Sequence, residues 1–187
     1  MIGLVHKNKK YSLTEYFELD DNSMDNKYEF YEGEIVTIMP GTTKKHDTLK
    51  YNCHFLLKSQ SKCSVFSESI RLQVLPNKSY VYPDVMLVCD DDKSNERTST
   101  NPLLVVEILS PTSIERDTVK KLHYYKQIPT LLYYLIVSQN EPYIDFYFRE
   151  NNKEWQHKVY ELLKTEINLK PLGITLKLHD IYNEIVF

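Results

Sequence analysis

A chain of 187 residues with 42% hydrophobic and 26% charged residues sits close to the globular norm, which excludes collagen-like, coiled-coil and disordered classes. No apolar run nears the ~20 residues needed to cross a bilayer, so an integral membrane protein is not expected. The net charge of −3, from 23 Lys and Arg against 26 Asp and Glu, excludes a globally basic binder, and any nucleic-acid contact must be local.

The length is that of one compact domain, expected over residues 1–187. The opening segment, Met1 to Lys10, carries only Ile2, Leu4 and Val5 before three lysines, too little for a secretory leader, and a cytoplasmic location is expected. Cys53, Cys63 and Cys89 show no CxxC spacing and read as reduced, partly buried thiols. The 15 tyrosines carry no mechanistic weight, because nothing in their spacing departs from ordinary sheet packing.

Along the chain, Ser12-x-x-Glu15 is a capping box that opens a short helix. Residues 28–39 alternate polar and apolar side chains around Gly33 and predict a hairpin ended by Pro40-Gly41. Leu49, Cys53, Leu56 and Leu57 recur at helical spacing, so His46 to Ser59 reads as an amphipathic helix packed on a sheet. Three strand-like runs follow: Ser64 to Leu75, Tyr80 to Cys89 and Leu103 to Ser110. The last two have the composition of interior strands. Between them, residues 90–101 are polar enough for a solvated loop, and Asp90, Asp91 and Asp92 read as a solubilising run rather than a cation site. Thr112-x-x-Glu115 is a second capping box, opening a helix that runs to about Gln127 before Pro129. Leu131 to Ser138 and Tyr143 to Arg149 flank a polar turn and predict an antiparallel hairpin. Trp155 to Leu162 adds an edge strand, and Gly173 to Leu178 a final short one. The order predicts an α+β (mixed α/β) domain with a central mixed sheet flanked by helices.

Two carboxylates are out of place in this pattern. Glu107 lies inside Leu103-Leu104-Val105-Val106-Glu107-Ile108-Leu109, the most apolar strand. An unpaired ionised carboxylate there would cost several kcal/mol, so Glu107 must be protonated, paired or bound to a metal. Asp84 raises the same question within Tyr80 to Val88. Either one alone reads as an amide cap or an ion pair. Together, on neighbouring interior strands, they read as a Mg²⁺ site completed by a backbone carbonyl and water. In the helix after Pro111, Lys121 falls ~20° from Ile114 on the semi-buried stripe with Leu122 and Tyr125, whereas Lys120 falls ~120° away. Asp117, one turn before Lys121, borders the same face; an ordinary Asp117/Lys121 helix pair is the plainer reading.

Tyr82-Pro83-Asp84-Val85, Val105-Val106-Glu107-Ile108-Leu109-Ser110-Pro111-Thr112, and Asp117-x-x-x-Lys121 with Tyr125 together resemble the Uma-type restriction-endonuclease family of the PD-(D/E)XK nuclease superfamily. Tyr28-Glu29, Gly33-Glu34, His46, Val137-Ser138-Gln139, Tyr147, Arg149 and Leu172 to Leu176 extend the resemblance over residues 11–184. It implies a restriction-endonuclease-like core, with Asp84, Glu107 and the Ile108 carbonyl as metal ligands. It also implies Lys121 as a helix-borne replacement for the strand lysine, a place taken here by Leu109. Glu34, His46, Asp117 and Tyr125 receive supporting roles.

The activity implied is Mg²⁺-dependent (or Mn²⁺-dependent) endonucleolytic hydrolysis of DNA phosphodiesters, with Lys121 orienting water or shielding charge, in a chain that pairs as a homodimer. Lys44, Lys45, Lys50, Arg71, Lys120, Lys121 and Lys126 could meet the phosphate backbone, or simply solvate the surface. The rival reading is a silent nuclease-fold module that binds nucleic acid or protein, for which the missing lysine at 109 speaks. On the sequence alone, Glu107→Gln and Lys121→Ala are both expected to fold and to lose cleavage.

Overall fold

The computed structural model describes residues 9–38, 42–90, 96–109, 116–150 and 154–187, the side chains of 116–118 excepted. The expected capping box at Thr112 and Glu115, the turn at Pro40-Gly41 and most of the acidic run at 90–92 lie outside the described residues.

Helix α1 (Leu13–Asp21) begins at the predicted box: Ser12 Oγ accepts from the Glu15 amide, and Glu15 Oε2 accepts from the Ser12 amide at 2.8 Å. Strands β1 (Lys27–Tyr31) and β2 (Glu34–Ile38) form the hairpin. Its two-residue turn puts both Glu32 (φ 49°) and Gly33 (φ 95°) in the positive-φ region, the geometry that matches strand twist and favours Gly. Helix α2 (Lys44–Gln60) is capped by Thr43, whose hydroxyl accepts from the His46 amide at 3.1 Å.

The next two runs depart from expectation. Each is split between two sheets rather than continuous: β3 (Ser64–Ser67) and β4 (Arg71–Leu75), then β5 (Ser79–Val81) and β6 (Val85–Val88). At the second crossing Pro83 has no N–H for a ladder, so the strand ends there and restarts after Asp84. Strands β7 (Thr98–Ser99) and β8 (Pro102–Ile108) follow. A π-helical segment, Arg116–Lys121, runs into the one-turn helix α3 (Leu122–Tyr125), in place of the single long α-helix expected. Strands β9 (Tyr133–Val137), β10 (Ile144–Phe148) and β11 (Gln156–Tyr160) form the predicted hairpin and edge strand. Strand β12 (Glu166–Leu169), which the sequence reading did not include, pairs with β13 (Ile174–Lys177), and the short helix α4 (Leu178–Ile181) comes last.

The architecture is a mixed α/β fold. A five-stranded sheet has the order β2-β1-β5-β4-β7 and a six-stranded sheet the order β11-β10-β9-β8-β6-β3, with β8 and β9 parallel and β6 and β8 antiparallel, while β12 and β13 form a separate two-stranded sheet. Strand alternation in β8 sends Leu104, Val106 and Ile108 into a core shared with Leu49, Cys53 and Leu57 of α2. Val105 faces the other way, into a core with Tyr31, Leu72 and Val81 of the five-stranded sheet and Tyr125 and Ile128. Helix α1 covers the outer face of that sheet through Tyr16, Phe30 and Tyr80. No helix among the described residues is long and apolar enough to cross a membrane.

The expectation of three reduced thiols is corrected: Cys63 and Cys89 form a disulfide with Cα atoms 4.4 Å apart. The β3–β6 ladder pairs Ser64 with Val88, and one step further along that register sets these two cysteines opposite each other. Their positions follow from strand pairing, which residue spacing does not reveal. Cys53 is free and buried.

Candidate active site

Glu107 shares the parity of Val105 and points into the layer between the two sheets, where it is 2% exposed. Its Oε1 accepts from Lys121 Nζ at 2.8 Å and from the Tyr125 hydroxyl at 2.6 Å. The lysine chosen by helical angle is thus the buried one, although the segment that carries it is π-helical. Four residues on, the first turn of α3 aims Tyr125 at the same oxygen. Burial first, then the Glu107 charge, push the Tyr125 hydroxyl well above the usual tyrosine range, so it remains a proton donor.

Asp84 sits at the crossing between β5 and β6 rather than at the centre of a strand. Its Oδ2 accepts from the Ile108 amide at 2.7 Å and lies 3.3 Å from His46 Nε2. Burial would raise this carboxyl. The bonds from His46 and the Ile108 amide, with the Lys121 charge, outweigh it and hold Asp84 below its ordinary range. Asp84 Oδ1 accepts no hydrogen bond from the described residues. His46, in the first turn of α2, is also buried, and its Nδ1 has no partner among the described residues. Thr43 at the cap of α2 donates to the Gln139 side-chain oxygen, and the Gln139 amide donates to the Leu109 carbonyl, which ties α2 to the end of β8.

Glu29 was quoted in the sequence only as part of a motif, yet it is fully buried at the centre of this site. Tyr28 and Phe30 face α1, so Glu29 and Tyr31 face the interlayer. Glu29 Oε1 lies 3.1 Å from Lys121 Nζ and accepts from the Tyr82 amide at 3.2 Å, while Oε2 accepts from the Tyr31 hydroxyl at 2.8 Å. The signal that singled out Glu107, a carboxylate amid large apolar neighbours, is present in Tyr28-Glu29-Phe30-Tyr31 too. A hairpin strand normally wets one face, however, and this one is buried on both.

The other expected residues separate. Glu34 is exposed and pairs with Lys120 Nζ at 3.0 Å on the rim, outside the buried cluster. The Asp117 side chain lies outside the described residues. The Ile108 amide donates to Asp84. Arg71 does not face a phosphate backbone: it is buried, pairs with Asp20 at 3.0 Å and Asp21 at 2.9 Å, and packs on the Phe17 ring. Lys50 is likewise tied to Asp47 and Glu68. Lys120 and Lys126 lie at the surface over Tyr31 and Tyr147, and Lys44 stands exposed at the start of α2.

Among the described residues no group of three or more His, Cys, Asp or Glu side chains is arranged to hold a metal. Two carboxylates alone, Asp84 with a spare oxygen and Glu107, have the chemistry of a hard-cation site completed by water and backbone oxygen. The donor set therefore fits a divalent ion, provided that Lys121 yields part of its hold on Glu107.

The chain matches the family model Uma2, described as "Putative restriction endonuclease", over residues 13–179. It is 28% identical over 182 residues to the uncharacterized protein slr1290 of Synechocystis, covering 95% of this chain and 94% of that one. A second Synechocystis protein, sll1609, is 29% identical over 158 residues, covering 81% and 88%. Among solved structures, a putative nuclease belonging to DUF820 from Anabaena variabilis superposes with a TM-score of 0.72 at 19% identity, covering 94% of this chain and 99% of that one. The fold is therefore the mixed α/β fold of that Anabaena variabilis protein. The chain itself belongs to the Uma2 family.

Proposed function

We propose that the chain is a divalent-metal-dependent endonuclease that hydrolyses DNA phosphodiester bonds at Asp84, Glu107 and Lys121. The observation that carries this reading is the convergence of Glu107 and Lys121 in the interlayer with Asp84, which is bonded to the amide of the residue after Glu107. A purely structural pair gains little from such burial, because desolvation offsets most of its attraction. A catalytic site gains charges held in fixed positions with little reorganisation during the reaction.

Asp84 and Glu107 would hold the cation, Mg²⁺ or Mn²⁺, which when bound supplies Lewis acidity toward the scissile phosphate and a more acidic attacking water. Lys121 offsets charge developing on the phosphate. Tyr125 keeps Glu107 oriented through its hydroxyl, and His46 together with the Ile108 amide keeps Asp84 ionised and in place. Lys44, Lys45, Lys120 and Lys126 remain as phosphate-facing surface charges, and a homodimer built on the open β11 edge would present one site to each strand.

The test is incubation of supercoiled plasmid and linear DNA with the purified chain in Mg²⁺, Mn²⁺ or EDTA, with Asp84→Asn alongside. The expected result is nicking that needs the metal and falls at least ~100-fold in the variant. The rival module reading draws on Leu109, which stands where a strand lysine is usual, and it predicts DNA retention with no cleavage under any metal.

A further inference from the structure

Lys121 is one ammonium set between two buried carboxylates, 2.8 Å from Glu107 and 3.1 Å from Glu29. The two come from different sheets: Glu107 from β8, Glu29 from β1. Resting on the reading of Asp84 and Glu107 as metal ligands, we propose that Glu29 is the reserve counter-ion of the site. It is a positioning residue that holds Lys121 when Glu107 turns to a divalent cation.

A cation on Glu107 repels the ammonium that the same carboxylate now holds. With no second acceptor, Lys121 would either stay and compete for Glu107 or be left buried without a counter-charge. Glu29 removes that conflict, because it already touches the ammonium from the opposite sheet. It is fixed there by two further donors, the Tyr31 hydroxyl and the Tyr82 amide. Tyr82 lies two residues before Asp84, so the same carboxylate also steadies the crossing that presents the other ligand.

The test is Mn²⁺ binding to the full-length, metal-stripped chain, read by the electron paramagnetic resonance signal of free Mn²⁺, with thermal melts on the same samples. Wild type is expected to bind Mn²⁺, and Asp84→Asn to lose that binding. Glu29→Gln should weaken binding about 10-fold or more, as changes beside a metal's ligands commonly do. Glu29→Asp should recover part of the loss. Adding Lys121→Met to Glu29→Gln should return affinity toward wild type, because the ammonium that needed a second acceptor is gone. A merely structural Glu29 would move the melting temperature and leave these affinities alone. Folded Glu29→Gln that binds Mn²⁺ like wild type overturns the inference and leaves the nuclease reading intact. Should Glu29→Gln fail to fold, the double variant decides, and wild-type-like affinity supports the proposal while a 10-fold loss overturns it. Wild type that binds no Mn²⁺, or Asp84→Asn that binds it fully, overturns both readings.

Discussion

Glu107, Lys121 and Glu29 form a buried ion triad, and removing its members has unequal consequences. Lys121→Ala removes the ammonium that two buried carboxylates share, at a cost of about 3–5 kcal/mol. The expectation from sequence that this variant folds normally is therefore revised: chemical denaturation should show a large loss of stability, and absence of cleavage by it proves little. Glu107→Gln keeps the shape and leaves Lys121 paired with Glu29, so its stability should stay within about 1 kcal/mol of wild type. Asp84 supplies a pH signature. Its carboxyl is held below the ordinary range, so the stabilisation is present above about pH 4. It disappears as pH falls through the lower folded value. Urea melts between about pH 2 and 6 should therefore show a shallower acid limb for Asp84→Asn than for wild type. Asp84, Glu107, Lys121 and Tyr125 were legible in sequence because each breaks a local pattern or falls on a buried stripe. Glu29 was not, because its burial comes from a second sheet laid over the hairpin, and no local periodicity encodes that.

At the scale of elements, the helix caps were the most legible feature, because a capping box is a local bargain between side chain and backbone. Ser12→Ala should cost about 1 kcal/mol, measured by denaturation. Glu15, bonded first by Lys9 and then by the Ser12 amide, is held down to about 2. The box thus stays closed until pH falls through that value, and α1 should loosen only in strong acid. Strands were legible by composition but not by partner. Ser64 to Leu75 and Tyr80 to Cys89 each serve two sheets, and nothing in their alternation marks the crossing except Pro83. The disulfide follows from the same pairing and was missed for the same reason. Cys63 and Cys89 close a loop spanning 26 residues, so in the chain-entropy model their bond contributes roughly 3–4 kcal/mol. Mass spectrometry after alkylation should find both protected until reduction, and reduction should lower the melting temperature by several degrees. Cys53, whose thiol burial pushes up to about 12, should stay unmodified until the chain unfolds.

For the molecule as a whole, the site lies where the two sheets face each other. β1 of one sheet and β8 of the other contribute opposing carboxylates, with the π-helical segment supplying the lysine between them. A π-helical stretch is an uncommon conformation that recurs at functional sites, and here it delivers Lys121 inward while Lys120 reaches the rim. Position 109 carries Leu in this arrangement, and the buried lysine comes from the π-helical segment instead. Glu107→Gln separates a chemical role for Glu107 from a packing role. The most direct measurement is plasmid nicking in Mg²⁺ by wild type and Glu107→Gln at equal concentration, with a thermal melt of each preparation. The variant is expected to melt no lower than about 1 kcal/mol would allow and to nick at least ~100-fold more slowly. A folded variant that nicks as fast as wild type, or one that cannot fold, would contradict a chemical role and leave Glu107 a structural ion-pair partner.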